Sequence, residues 1–145
     1  DHKPNDSQDE GFDTLFGARR WEYGPTGVFL PFFRTNLISP GWRIIVTPMP
    51  NLTLQLKHRV WYLAQNKDFF GSSGLRDITG KAGGSLGHDL ELRAQYAVNA
   101  NLDFDFGYVH WFKGSYFDNP AILSQMPSGG NKDSDYFYAS VRVRI

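Results

Sequence analysis

The sequence predicts an antiparallel transmembrane β-barrel, and three observations lead to that fold class. Five segments alternate strictly between apolar and polar residues, and the longest alternation runs from Leu52 to Gln65. Soluble strands usually have about five or six residues, whereas a strand that crosses a bilayer needs about 9–11. Short and long connections alternate between the segments, as in bacterial outer-membrane barrels. Aromatic residues make up 16% of the 145 residues, which is typical of girdles at membrane interfaces.

Composition narrows the function classes. The formal net charge is zero, so nothing favours a nucleic-acid partner. The absence of Cys excludes disulfides and thiolate metal sites, and no cofactor is predicted. No apolar run reaches the roughly 18 residues of a transmembrane helix, but barrel strands do not need one. The chain begins at Asp1 without a signal peptide, so we expect a processed product or a fragment.

Residues 1–40 are predicted to form a polar N-terminal loop followed by an irregular connector rich in Gly, Pro and aromatic residues. A short strand from Gly27 to Arg34 is an alternative for part of this region, but Pro25 and Pro31 argue against a central place in a sheet. The barrel strands are expected within residues 41–145.

Five strands are expected in this second region: Trp42–Thr47, Leu52–Gln65, Leu86–Val98, Leu102–Lys113 and Asp135–Ile145. Tight turns at Pro48–Asn51 and Asn99–Asn101 make two of the connections. Long loops at Asn66–Ser85 and Gly114–Ser134 make the other two. In outer-membrane barrels the short turns face the periplasm and the long loops face outside, so the pattern also predicts an orientation.

One face of every predicted strand avoids charge. These apolar faces contain no Asp, Glu, Lys or Arg when the last strand is taken from Phe137 onward. Faces of this kind are expected to contact outer-membrane lipid. Their interfacial aromatic residues are predicted to form the girdle: Trp42, Tyr62, Tyr96, Tyr108 and Phe112.

The opposite faces carry the charges and are predicted to line the barrel interior. The predicted pore-lining and anion-facing residues are Arg43, Lys57, Arg59, Arg93, Glu91, Arg142, Arg144, Asp103 and Asp105. Asp89 and Lys113 share this face, on which positive charges outnumber negative ones. Because Arg and Lys around a pore favour anions, these faces predict an anion-conducting lumen.

Hairpin geometry singles out one cationic group. Across the turn at Pro48–Asn51, Arg43 should lie near Lys57, and a like-charged pair of this kind is unfavourable unless an anion relieves it. Together with Arg59 these residues predict an anion-facing patch. Acidic residues on neighbouring strands are the alternative partners, and the sequence leaves both interpretations open.

A second group of charges is expected to be structural. Asp103 and Asp105 should neighbour Arg142 and Arg144 across the last two strands. Opposite charges on facing strands stabilise a sheet, so these arginines are expected to be largely neutralised.

Two other function classes fit parts of the pattern. A soluble lipocalin-like barrel that binds a small ligand also has long alternating strands, and it should stay monodisperse without detergent. A hydrolase would use Ser85, His88 and Asp89, but His88 and Asp89 point to opposite faces of a strand and cannot form a triad. His58, His88 and His110 lie on separate strands and point toward lipid, so no metal site is expected. The sequence therefore predicts that the chain is not an enzyme.

Three stretches carry a family resemblance. They read GFDTLFGARRWEYGPTGVFLPFFRTN from Gly11, SPGWRIIVTP from Ser39, and LGHDLELRAQYAVNANLDFDFGYVHWFKGSYF from Leu86. Their order and spacing resemble the C-terminal part of the alginate export family of outer-membrane barrels. The resemblance covers nearly the whole chain.

This resemblance implies a barrel of about 18 strands in the outer membrane of a Gram-negative bacterium. It implies a lumen, including Arg43, Lys57, Arg59 and Arg93, that passes an anionic uronate polymer by passive transport. Five or six strands cannot close a barrel, which needs at least about eight. The expected partners are therefore outer-membrane lipid, an anionic polysaccharide or small anions, and the remainder of the barrel.

Overall fold

The computed structural model describes Phe32 and residues 35–144. They form one antiparallel sheet, which confirms the predicted all-β fold. Its strands are β1 (Leu37–Ile38), β2 (Gly41–Met49), β3 (Leu52–Leu63), β4 (Ser85–Asn99), β5 (Leu102–Lys113) and β6 (Ser134–Val143). The long loops contain a short helix, α1 (Pro120–Leu123), and 3-10 turns at Gly71–Ser73 and Ser115–Asp118. No helix in the described part of the chain is long and apolar enough to cross a membrane.

β1 and β2 are two parts of one edge strand that pairs with β3. The cross-strand register of β1 continues into β2 without a shift. The interruption lies at Pro40, whose carbonyl accepts the Val60 N–H at 2.9 Å but which has no N–H to return the bond. The connector that the sequence describes as irregular therefore ends in a short strand at Leu37–Ile38.

The remaining strands begin and end near their predicted limits. β5 has the predicted limits, whereas β2 extends through Pro48 to Met49, into residues predicted to form a turn. Most of the predicted N-terminal region lies outside the described residues. Except for Phe32, the alternative strand at Gly27–Arg34 also lies outside the described residues. The last residue, Ile145, lies outside them as well.

The apolar side chains of this sheet are more exposed than they would be in a soluble protein. Large apolar side chains on one side, here called the apolar face, are exposed, among them Leu92, Phe106 and Phe137. On the other side, here called the charged face, several charged side chains are buried, and Asp89 and Glu91 are 0% exposed. A soluble sandwich buries its apolar face instead. This arrangement suits a wall in contact with lipid and does not support the lipocalin-like alternative.

A bulge at the loop end of β4 turns one residue to the opposite face. The register with β3 shifts between Trp61 and Tyr62, and Gly87 has a φ of +103°. As a result Leu86 is 0% exposed and lies in the hydrophobic core. Strict alternation in the predicted strand Leu86–Val98 would place Leu86 on the apolar face with His88 and Leu90. This placement is wrong, because a bulge inserts an extra residue and reverses the alternation.

Candidate functional site

The centre of the charged face is an ion pair between β3 and β4. Lys57 lies directly opposite Glu91, and Lys57 Nζ is 2.6 Å from Glu91 Oε2. Gln55 Nε2 donates a hydrogen bond of 3.2 Å to the second carboxylate oxygen, Glu91 Oε1. For Lys57 the structure therefore favours the interpretation in which a neighbouring acidic residue is the partner.

The next charged pair joins β4 and β5. Arg93 Nε donates to Asp105 Oδ1 at 2.9 Å, and Arg93 Nη2 contacts Asp105 Oδ2. The Tyr138 hydroxyl donates to Asp105 Oδ1 at 3.1 Å. Gly107 lies opposite both Arg93 and Tyr138, so its missing side chain leaves room for both to reach the carboxylate.

The last charged group joins Asp103 of β5 to Arg142 of β6 and to Arg144, which follows β6. Arg144 Nη2 lies 2.8 Å from Asp103 Oδ1, and Arg142 Nη1 lies 3.6 Å from Asp103 Oδ2. Asp103 thus contacts both arginines, as the sequence predicts. Asp105 has Arg142 as a diagonal neighbour, but its hydrogen-bonded partners are Arg93 and Tyr138.

Arg43 is the predicted lumen cation without a carboxylate partner among the described residues. It lies on the edge strand β2, is exposed, and faces Lys57 in the register. Beside it is a cavity of about 350 Å³, lined by Ser39, Gly41, Lys57 and Arg59 among others. A side chain at Gly41 would place its Cβ 2.6 Å from a β3 carbonyl, so glycine allows the close approach of β2 to β3 at this point.

Arg59 differs from Arg43 in its surroundings. It faces Asp89 across the β3–β4 pair, and its guanidinium lies 5.3 Å from the centre of the Trp61 ring. Trp61 Nε1 in turn donates a hydrogen bond of 2.6 Å to Asp89 Oδ2. The three cations of the predicted patch therefore differ in their acidic neighbours, and the charge of Arg43 is the least compensated of the three.

A hydrophobic core covers the loop end of the charged face, and the sequence analysis missed it. The strands contribute Trp61, Leu63, Leu86 and Trp111, and the preceding connector contributes Phe32. The two long loops contribute the other members: Phe70, Leu75, Ala82, Tyr116, Phe117 and Ile122. The available signal was the apolar character of inward positions near the ends of β3 and β5.

One core residue shows how deeply this cluster is buried. Tyr116 is 0% exposed, and among the described residues its hydroxyl has no hydrogen-bond partner. Burial raises the pKa of the Tyr116 phenol to about 12, with a smaller contribution from the Asp77 carboxylate. The phenol is therefore neutral at any physiological pH.

The first long loop is organised around a carboxylate. Asp77 is 3% exposed and accepts hydrogen bonds from the Thr79 hydroxyl at 2.7 Å and the Ala82 N–H at 2.7 Å. The Thr79 N–H donates to it at 2.9 Å. The Thr79 hydroxyl, followed by the Ala82 amide, holds the pKa of Asp77 below its ordinary value of 3.8. The ionised carboxylate therefore stabilises the folded loop.

This depressed pKa predicts how the loop responds to acid. The stabilisation from Asp77 is fully present above its unfolded pKa, and it is lost as the pH falls below 3.8 through the folded pKa. Amide hydrogen exchange of residues 77–82 should show protection that declines only below that pH. In Asp77→Asn the protection should be lower at neutral pH and should lack this acid step, whereas an unchanged acid step would contradict the assignment.

The apolar face carries a row of histidine and aromatic rings. His58 Nε2 lies 3.3 Å from His88 Nδ1, and the His88 ring stacks on Phe112 at 4.6 Å between centroids. His110 Nδ1 lies 2.6 Å from Asp135 Oδ1. Asp135 thus stands on the apolar face, which corrects the expectation that this face avoids charge in every strand. Among the described residues no group of three or more His, Asp or Glu side chains could hold a metal.

The predicted girdle residues all lie on this apolar face and are exposed. Trp42, Tyr62 and Phe112 are near the loop ends of their strands, and Tyr96 is near the turn between β4 and β5. The Tyr108 hydroxyl instead donates a hydrogen bond of 2.5 Å to Asp135, which gives this ring a polar partner in the sheet.

Comparison with known proteins gives one match. The family model described as alginate export matches residues 1–127, which is most of the chain. No curated protein and no solved structure matches the chain. The matched family consists of export channels and not of enzymes, and its fold is an outer-membrane β-barrel, in agreement with the antiparallel sheet. The chain therefore belongs to the alginate export family, whose members are polysaccharide export channels.

Proposed function

We propose that this chain forms part of the wall of an outer-membrane channel through which an anionic polysaccharide diffuses passively, with the charged face toward the lumen. One observation carries the proposal. The sheet exposes large apolar side chains on one face and buries Lys57, Asp89, Glu91 and Asp105 on the other, which is the arrangement expected of a barrel wall with lipid outside and polar groups inside.

The same proposal gives each charged residue of this face a place in the lumen wall. Lys57–Glu91, Arg93–Asp105 and the Asp103 pairs would line the wall as ion pairs. Arg43 would supply the net attraction for a carboxylate-bearing polymer, because it lies beside a polar cavity and faces a second cation. Localisation in the outer membrane and contact with outer-membrane lipid through the apolar face belong to the same proposal.

Replacing Arg43 with Gln is expected to lower the anion-over-cation permeability ratio of the intact protein in planar lipid bilayers. The change removes the lumen cation that has no carboxylate partner among the described residues, while the neighbouring pairs remain. The effect should weaken at high salt, because exposed charges are screened over about 10 Å at 0.1 M ionic strength.

Lys132→Gln is the matched control. It removes the same unit of charge at an exposed position outside the strands. Equal permeability ratios for Arg43→Gln and Lys132→Gln would contradict the role given to Arg43. Glu91→Gln provides the opposite test, because it removes a negative charge beside Lys57 and should raise the ratio.

A further inference from the structure

We propose that the two long loops form a fixed cap over the loop end of the charged face and thereby set the width of solute that the channel passes. This inference rests on the proposed function, in which the charged face lines the lumen. The cap consists of the core residues of the loops: Phe70, Leu75, Ala82, Tyr116, Phe117 and Ile122.

The first argument is where the cap sits. Trp61 of β3 and Trp111 of β5 point to the charged face at the loop end, and both are buried. The Phe117 ring packs edge-on against Trp111 at 5.4 Å between centroids, and Phe70 lies 5.8 Å from Phe117. Loop side chains therefore cover the loop end of the charged face, which lines the lumen in the proposed function.

The second argument is that the two loops are tied to each other. The Arg76 N–H donates to Gln125 Oε1 at 3.1 Å, and Gln125 Nε2 donates to the Arg76 carbonyl at 2.9 Å. This reciprocal pair joins the first loop to the residues that follow α1. The loops are thereby coupled through polar contacts as well as through the shared core.

The third argument is that the cap is tied to the strands. Lys113, at the end of β5, donates through Nζ to the Gly130 carbonyl at 2.6 Å. The same ammonium lies 5.2 Å from the Trp111 ring centre and 5.7 Å from that of Phe117. Lys113 was expected to be a lumen cation, but here it holds the second loop against the sheet.

These contacts describe a constriction and not a swinging gate. Moving either loop away would expose a continuous aromatic cluster to water and would break the Arg76–Gln125 pair. A fixed constriction selects narrow solutes, so the channel should admit an extended unbranched polysaccharide and exclude branched or compact ones of the same charge.

The test uses two adjacent residues of α1. Ile122 is 0% exposed in the core, whereas Leu123 is 38% exposed and points away from it. Ile122→Asp should detach the second loop, and Leu123→Asp should add the same charge without doing so. The readout is the size of polyethylene glycol that no longer enters the pore, measured by single-channel conductance of the intact protein in planar bilayers.

The expected result is a shift of the exclusion size toward larger polymers in Ile122→Asp, together with a rise in conductance, and no shift in Leu123→Asp. Faster proteolysis at Lys132 in Ile122→Asp would show that the loop is released. Gln125→Ala is the milder variant in case Ile122→Asp does not assemble, and it should shift the exclusion size in the same direction.

Two other outcomes would distinguish a failure of the cap proposal from a failure of the channel proposal. An unchanged exclusion size in Gln125→Ala and in an assembled, proteolysed Ile122→Asp would overturn the fixed cap while leaving the channel proposal intact. Absence of any conductance from the assembled wild-type protein would overturn the proposed function itself, and the cap with it.

Discussion

Trp61→Ala is expected to lower the stability of the intact protein by about 3–5 kcal/mol, because truncation of a large buried aromatic side chain leaves a cavity. Trp61 is 0% exposed, and its ring centre lies 4.1 Å from that of Phe32. The same change removes the indole N–H that donates to Asp89 and leaves a buried carboxylate with less compensation. Urea unfolding in detergent micelles or lipid vesicles measures the loss.

Two further variants separate the causes. Trp61→Phe keeps most of the packing but removes the N–H donor, and it should cost about 1–3 kcal/mol. Trp42→Ala removes the same type of side chain from an exposed position on the apolar face, so it should cost less than Trp61→Ala. Equal losses for Trp61→Ala and Trp42→Ala would show that the charged face has no packed core at its loop end.

Gly87→Ala is expected to destabilise the barrel by at least about 3 kcal/mol and to reduce the assembled fraction. A Cβ at this position would lie 1.9 Å from the Phe112 carbonyl oxygen and 2.7 Å from the Gly114 nitrogen. Both are backbone atoms, so no side-chain rotation can relieve the overlap. The φ of +103° adds strain for any residue other than glycine.

Gly83→Ala is the matched control for this position. Gly83 has a φ of +72°, but a Cβ there would meet nothing within 4 Å. Its substitution should therefore cost only the backbone strain, about 1–2 kcal/mol. The assembled fraction can be measured as the heat-sensitive, faster-migrating species on unheated gels. Assembly of Gly87→Ala at the level of Gly83→Ala would contradict the bulge geometry.

The alternation of residue types was sufficient to predict the strands and, for most residues, the face of the sheet on which the side chain lies. A period of two is a local property, and it requires no knowledge of what lies across the sheet. It failed at Leu86, where the bulge at Gly87 reverses the alternation. A glycine followed by unbroken alternation carries no signal that separates a bulge from a regular strand.

Partners of the inward charges were harder to predict. Asp105 has arginines diagonally placed on both sides, Arg93 on β4 and Arg142 on β6, and sequence alone cannot rank two equivalent diagonals. The choice of Arg93 depends on the space above Gly107 and on the Tyr138 hydroxyl. Arg43 and Lys57, by contrast, are opposite each other, close to where the hairpin predicts them, although the register of β2 and β3 shifts between Val46 and Met49.

The folding of the long loops was not predictable from pattern. Their core residues are separated by Gly, Ser and Asn, with no period that marks a helix or strand. Their position depends on contacts with Trp61 and Trp111, which are distant in sequence. Only the tertiary structure shows that the loops turn back over the charged face.

The pairing of charges within the wall has a kinetic consequence for a long polymer. A chain that bears a carboxylate on every sugar would be held at many points by a wall of uncompensated cations, and each step forward would require many contacts to break together. Since Lys57, Arg93 and Arg144 already contact carboxylates of the sheet, a polymer in the proposed channel would have to compete with these carboxylates at each contact. Conduction requires binding that is strong enough for entry and weak enough for exit. The ion pairs would thus keep each contact between the wall and the sugar chain weak, so that the contacts could break one at a time as the chain moves.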